Sequence, residues 1–209
     1  MNYAYHREAT TEYLDDRAQF ARELTWRGQP SARHRFNHAL TWELPVGRGR
    51  WLLKDASREL DLVVGGWRLT TTNRRYSGRL LQFTQNLIVS GSPKLAHPTR
   101  DKWFDTSVCS ALPAGTSSDP ASTVRTNPYT YDGVVGPGTS QTDLTLSKSF
   151  LLTESGVRLE VRVETYNAFN QLNWDNPVVD FNNANFGKVI SKRPGYVGRE
   201  VQYGVKLSF

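Results

Sequence analysis

Apolar and polar side chains alternate most regularly at 157–164. Val157, Leu159, Val161 and Val163 take the odd positions, and Arg158, Glu160, Arg162 and Glu164 the even ones. A period of two puts these sets on opposite faces of a strand. The strand reads over 157–169, about 11–13 residues, against about 5–6 for a typical soluble strand and about 9–11 for one crossing a bilayer at a tilt. The segment 199–209 repeats the pattern: Val201, Tyr203, Val205, Leu207 and Phe209 share one face, and Gln202, Gly204, Lys206 and Ser208 the other. A third strand, 141–150, sets Thr142, Leu144, Leu146, Lys148 and Phe150 against Asp143, Thr145, Ser147 and Ser149. A fourth, 35–44, sets Phe36, His38, Leu40, Trp42 and Leu44 against Arg35, Asn37, Ala39, Thr41 and Glu43. A fifth, 67–83, is less regular. Asn73 and Arg75 fall in the row begun by Trp67, Leu69 and Thr71, and Gly78 is a candidate kink. A stub at 2–7 makes six.

The connections differ by side. The turn 151–156 is short and 45–66 is intermediate, whereas 8–34, 84–140 and 170–198 are long and fall at the same end of the strands. Long loops at one end and shorter turns at the other predict an all-β, antiparallel up-and-down transmembrane β-barrel segment. It would have about six long strands in an open, curved sheet, with long loops on one side. On that reading Val157, Leu159, Val161 and Val163 face lipid and Arg158, Glu160, Arg162 and Glu164 face the lumen. Trp42, Phe150, Tyr203 and Phe209 are candidates for interfacial aromatic girdles.

Composition narrows the field. In 209 residues there are 26 Lys+Arg and 20 Asp+Glu, a net charge of +6, but the arginines are scattered and no run of five basic residues occurs. Nucleic acid is therefore not an expected partner. A single Cys excludes a disulfide framework and a Cys-based zinc site. Residues 1–20 carry Glu8, Glu12, Asp15 and Asp16 and no apolar core, so no secretory signal is read there. The longest apolar runs, such as Leu62-Val63-Val64-Gly65-Gly66-Trp67, fall far short of a membrane helix.

Catalytic and metal chemistry find no foothold. Glu160 and Glu164 lie about 13 Å apart on a strand rising about 3.3 Å per residue, too far for a paired-carboxylate site. His34 and His38 are equally separated on an extended segment and read as ordinary strand histidines. Cys109 has no activating pattern around it and reads as an inert loop thiol. Gly136-Pro137-Gly138-Thr139-Ser140 lacks the lysine of a phosphate loop. Trp103-Phe104 reads as an anchor for a long loop, with ligand binding as the other use of exposed aromatics. No enzyme, metal or cofactor is expected.

Several blocks resemble TonB-dependent receptors of the Oar-like group. They are Arg33-His34-Arg35-Phe36, Glu43-Leu44-Pro45-Val46-Gly47-Arg48-Gly49-Arg50, Gly65-Gly66-Trp67-Arg68-Leu69, Trp103-Phe104-Asp105-Thr106, Tyr166-Asn167-Ala168-Phe169-Asn170, Asn185-Phe186-Gly187 and 202–209. They cover most of the chain in order. The resemblance implies the C-terminal part of a barrel of about 22 strands closed by a plug, located in the cell outer membrane. The plug, N-terminal region and signal peptide would be missing from this sequence, whether as a truncated gene or a partial one. It implies import of an unidentified solute when intact, with TonB engaged through the plug. It also makes Val201, Tyr203, Val205, Leu207 and Phe209 an assembly signal for the barrel-assembly machinery, recognised by strand addition. Asn73, Arg74 and Arg75 depart from the expected alternation, by relaxed selection or by a lumen-exposed distortion. The rival reading is a soluble β-sheet module binding a carbohydrate or other ligand through its Trp and Tyr side chains.

Overall fold

The computed structural model describes residues 1–12, 25–84, 86–113, 127–153 and 156–209. Ten strands and one α-helix form there: β1 (Asn2–Tyr5), β2 (Ala9–Glu12), β3 (Thr25–Gly28), β4 (His34–Glu43), α1 (Arg58–Val64), β5 (Trp67–Tyr76), β6 (Leu87–Val89), β7 (Cys109–Ala111), β8 (Thr139–Leu151), β9 (Arg158–Tyr166) and β10 (Glu200–Ser208). Six of them make one antiparallel sheet in the order β1-β4-β5-β8-β9-β10, and β2-β3 and β6-β7 are separate hairpin-like pairs. Each sheet strand pairs with the sheet strand next to it along the chain, so the sheet is an up-and-down meander. Among the described residues it is open, with β1 and β10 each paired on one side only.

The register carries the alternation across the whole sheet. Trp42, Leu69, Leu146, Val163 and Tyr203 lie side by side over five strands. Leu40, Thr71, Leu144, Thr165 and Val201 form the next row, and Phe150, Leu159 and Leu207 another. One face of the sheet is therefore apolar by construction, because a slip of one residue in any pair would turn that strand's apolar row to the other side.

Among the described residues no hydrophobic core lies against this sheet. The buried hydrophobic residues are Ala32, Leu80, Leu81, Phe83, Leu87, Val89, Phe104, Val134 and Val189, all in the long connections. The apolar row of β10 stays open, with Val205 73% and Leu207 47% exposed. Leu159 and Val161 are half-buried between their neighbouring strands. The packed core sits instead at the long-loop end. There Phe83, Phe104, Tyr131, Phe181 and Phe186 meet edge to face with ring centroids 5.0–5.3 Å apart, an arrangement favoured by the aromatic quadrupole. This cap is built mainly from residues 77–84, 86–113, 127–138 and 167–199.

The fifth strand ends earlier than its sequence pattern indicates, at Tyr76 and not at 83. Gly78 is not a kink within a strand. The chain there passes so close to the Gly136 carbonyl that a Cβ would collide with it, and Leu80 then bridges to Val135. Nor is β5 distorted at Asn73, Arg74 and Arg75. The ladder to β8 continues through Asn73↔Thr142, Arg74↔Gln141 and Arg75↔Ser140. These residues are polar because the strand has reached the cap.

Candidate functional site

Two surfaces and one cap make up the working parts. On β9, Arg158, Glu160, Arg162 and Glu164 lie together on one face, as the alternation requires, and Leu159, Val161 and Val163 on the other, with Val157 just before the strand. Glu160 stands opposite Lys206, and Arg162 opposite Gly204. On the same charged face Arg162 pairs with Glu164 at 3.4 Å. Arg74 pairs with Asp143 at 3.5 Å, and Arg50 and Arg68 both reach Glu43 at 3.5 Å. The charged face is thus an extended polar surface with both signs interspersed.

The apolar face has a defined height. From Val157 to Thr165 it spans about 26 Å along the strand at about 3.3 Å per residue. Tilted by roughly 40°, that is about 20 Å, near the apolar band of an outer-membrane barrel. Above it the rows turn polar with His38, Asn73 and Thr142. Asn73 is buried and donates through its side chain to Thr142 Oγ1 at 2.6 Å and to the Gln141 carbonyl at 3.3 Å. This clamp between β5 and β8 is absent from the sequence reading, because it appears there only as a break in the alternation.

Lys148 is the other exception on the apolar face, in line with Val161 and Val205. It is only 5% exposed, because α1 lies over it. Its ammonium donates to the Leu62 carbonyl at 2.6 Å and the Asp61 carbonyl at 3.4 Å, and Trp67 Nε1 donates to the Val63 carbonyl at 2.9 Å. The Leu62 and Val63 carbonyls are in the last turn, where a helix lacks internal partners, and the Asp61 carbonyl also accepts from the Gly65 amide at 2.9 Å. Lys148 Nζ also sits 5.0 Å from the Phe150 ring centroid and 5.8 Å from that of Trp67. The helix itself went unread in the sequence. Its signals are Ser57, whose hydroxyl accepts from the Leu60 amide, and the Gly65-Gly66 stop.

The motifs of the long connections prove structural. Tyr166-Asn167-Ala168-Phe169-Asn170 is the exit from β9. Asn167 and Asn170 take left-handed backbone angles, φ 49 and φ 50, which Asn tolerates better than most residues. The Asn167 side chain donates to the Gln171 and Val197 carbonyls, each at 3.0 Å, and accepts from the Gln171 amide at 2.7 Å. The Asn167 amide donates to Asp143. Asn173 extends the β8 ladder with its side chain, accepting from the Ser140 amide at 2.7 Å and donating to the Ser140 carbonyl at 2.9 Å.

Trp103-Phe104-Asp105-Thr106 packs against Asn185-Phe186-Gly187. Phe104 is fully buried, Trp103 donates from its amide to the Gly187 carbonyl and from Nε1 to the Val135 carbonyl at 2.7 Å. Gly187 has φ 82, and a Cβ there would press on Thr106. Trp103 and Phe104 therefore anchor a loop, with the Phe104 ring fully buried and Trp103 half-buried. Lys102 at 2.9 Å, with Ser107, holds the Asp105 carboxyl below the usual range. Burial, aided by Asp105, pushes the Cys109 thiol up to about 11. Among the described residues no group of three or more His, Cys, Asp or Glu side chains is placed to hold a metal ion. No helix among them is long and apolar enough to cross a membrane, which leaves crossing by strands open.

Comparison with known proteins gives one match. Residues 10–202 fit the family described as Outer membrane beta barrel domain. Neither the curated proteins nor the solved structures return a match. The match covers nearly all of the chain and agrees with the sheet of long strands, the uncovered apolar face and the one-sided loops. The soluble-module reading is set aside, and the chain belongs to the outer membrane beta barrel domain family and resides in the outer membrane.

Proposed function

We propose that this chain forms wall and cap of a TonB-dependent receptor of the Oar-like group, which imports a scarce solute across the outer membrane. The observation that carries the reading is where the hydrophobic core lies. The wall has none of its own, whereas the long loops pack Phe83, Phe104, Phe186 and their neighbours into a shaped body at one end. A barrel that serves only as an anchor has no use for such a body. A receptor needs a firm outer surface on which to hold its solute. The recurrence of Oar-like motifs at the joints of this cap supports the same assignment.

In this reading Val157, Leu159, Val161 and Val163 face lipid, where a Lys or Arg at mid-depth costs about 2–4 kcal/mol. Arg158, Glu160, Arg162 and Glu164 line the lumen, solvated by water and by a plug. The row Val201, Tyr203, Val205, Leu207 and Phe209 on and beyond β10 presents its free edge to the barrel-assembly machinery. TonB acts through the plug, moving it when a solute sits on the cap. The chain contributes binding and a path, with no catalytic group and no cofactor.

Uptake measurements test this. Cells with and without the intact gene are given fluorescent iron chelates and oligosaccharides too large for general porins, with and without a protonophore. The proposal expects at least one probe whose accumulation is lost both on gene deletion and on collapse of the proton gradient. Gene-dependent accumulation that persists with the protonophore would identify a passive pore and overturn it.

A further inference from the structure

The β4–β5 connection, residues 44–66, is larger than a turn needs to be, and it carries apolar side chains that none of the described residues covers. Leu62 is 57%, Val63 68% and Trp51 84% exposed, and Leu52, Leu53 and Leu60 are open as well. The segment is nevertheless well built. The Leu52 amide donates to the Pro45 carbonyl and the Gly47 amide to the Leu52 carbonyl, the Arg48 amide donates to Asp61 Oδ1 at 2.6 Å, and Ser57 caps α1. Ordered backbone presenting uncovered apolar groups is the mark of an interface.

Its position indicates which interface. Lys148 and Trp67 both belong to the apolar face of the sheet, and both donate to carbonyls at the end of α1. The helix therefore rests on that face, at the end that carries the short β8–β9 turn. In an outer-membrane barrel the apolar face is outward and the short-turn end is periplasmic. The basic side chains Arg48, Lys54 and Arg58 are exposed on the same segment, as are the acidic Asp55 and Glu59, whereas Asp61 is turned inward toward Gly47, Gly65 and the Arg48 amide.

We propose that the β4–β5 connection is an interfacial membrane anchor. The segment lies in the headgroup zone of the periplasmic leaflet, with Leu62, Val63 and Trp51 entering the acyl boundary and Arg48, Lys54 and Arg58 meeting lipid phosphate. The helix is fastened to the apolar face through Lys148 and Trp67, and Lys148 is hidden beneath it. A strand charge that would otherwise face hydrocarbon becomes the fastening of the anchor. Amphipathic segments with basic and aromatic residues favour this depth. The proposal rests on the outward orientation of the apolar face and holds whether or not the barrel imports a solute.

Depth-dependent quenching tests it. In a Cys109→Ser background, Leu62→Cys, Val63→Cys and Val205→Cys each receive an environment-sensitive fluorophore. The folded protein, extracted from outer membranes, is reconstituted into vesicles of phosphatidylethanolamine and phosphatidylglycerol with nitroxide lipids. The label at 205 should be quenched by the deep nitroxide. Labels at 62 and 63 should be quenched more by the shallow nitroxide than by the deep one, with loss of quenching by aqueous iodide. Lipid quenching at 205 with iodide quenching alone at 62 and 63 would place the segment in water and overturn the anchor. Quenching by neither agent at 62 and 63 would show a protein cover and overturn it too. If 205 itself escapes lipid quenching, the orientation of the wall fails and the anchor fails with it.

Discussion

Phe104 has no solvent exposure and touches Phe83 and Phe186 edge to face. Phe104→Ala should cost the cap about 3–5 kcal/mol while leaving the wall intact. Trypsin should then cut within 77–138 while the protein keeps its heat-modifiable migration. A cap as resistant as the unaltered one would contradict the packing described here. Cys109 offers a test by pH. A thiol near 11 is protonated at pH 8, so iodoacetamide should alkylate it on the order of a few hundred-fold more slowly than a free thiol of pKa about 8.5. The rate should rise about tenfold per pH unit toward 11, since only the thiolate reacts. Reaction at pH 8 as fast as that of a free thiol would refute the burial. Asn167 is the hinge of the β9 exit, and Asn167→Ala removes partners from the Gln171 and Val197 backbone groups. About 1–3 kcal/mol of local stability should be lost, read as faster cleavage within 167–199.

The strands were the legible part of the sequence, because a period of two survives any tertiary context in which one face differs from the other. The pattern over 157–164 and 201–207 marks β9 and β10 and also which side chains share a face. The elements that escaped depend on contacts distant in the chain. The end of β5 at Tyr76 follows from Gly78 meeting Gly136, which no local pattern announces. Helix α1 has only seven residues, too few to show a helical period, and is held by Lys148 and Trp67. Lys148 reads as a flaw in an apolar row until the helix above it is known. The alternation leads to a direct contrast between faces. Val161→Arg should lower the folded, heat-modifiable fraction in the outer membrane by about 2–4 kcal/mol of insertion energy. Thr145→Arg, on the charged face and opposite Glu164, should leave that fraction unchanged. Equal loss from both would mean that the two faces meet the same surroundings.

At the scale of the whole molecule, the arrangement inverts that of a soluble β-protein. There a sheet buries its apolar face under a second layer and its loops stay open. Here the loops own the core and, among the described residues, no second layer covers the sheet beyond α1 over Lys148. The cap was the least legible region, since its core joins Leu81, Phe104, Val134 and Phe186 from segments far apart in sequence. Composition also misleads at this scale. The net charge of +6 forms no single-sign patch on β9, where the charges alternate in sign along one face and Glu160 stands opposite Lys206. The family match and the bare apolar face point to the same solvent, hydrocarbon, for one side of the wall. A nitroxide scan of positions 157–164, one labelled cysteine at a time in a Cys109→Ser background, tests this most directly. Collision with oxygen, which concentrates in lipid, should be high at 157, 159, 161 and 163 and low between them, and collision with a water-soluble nickel chelate should show the reverse. Low collision with both agents at the four odd positions would mean that protein, not lipid, covers that face, and would contradict the account.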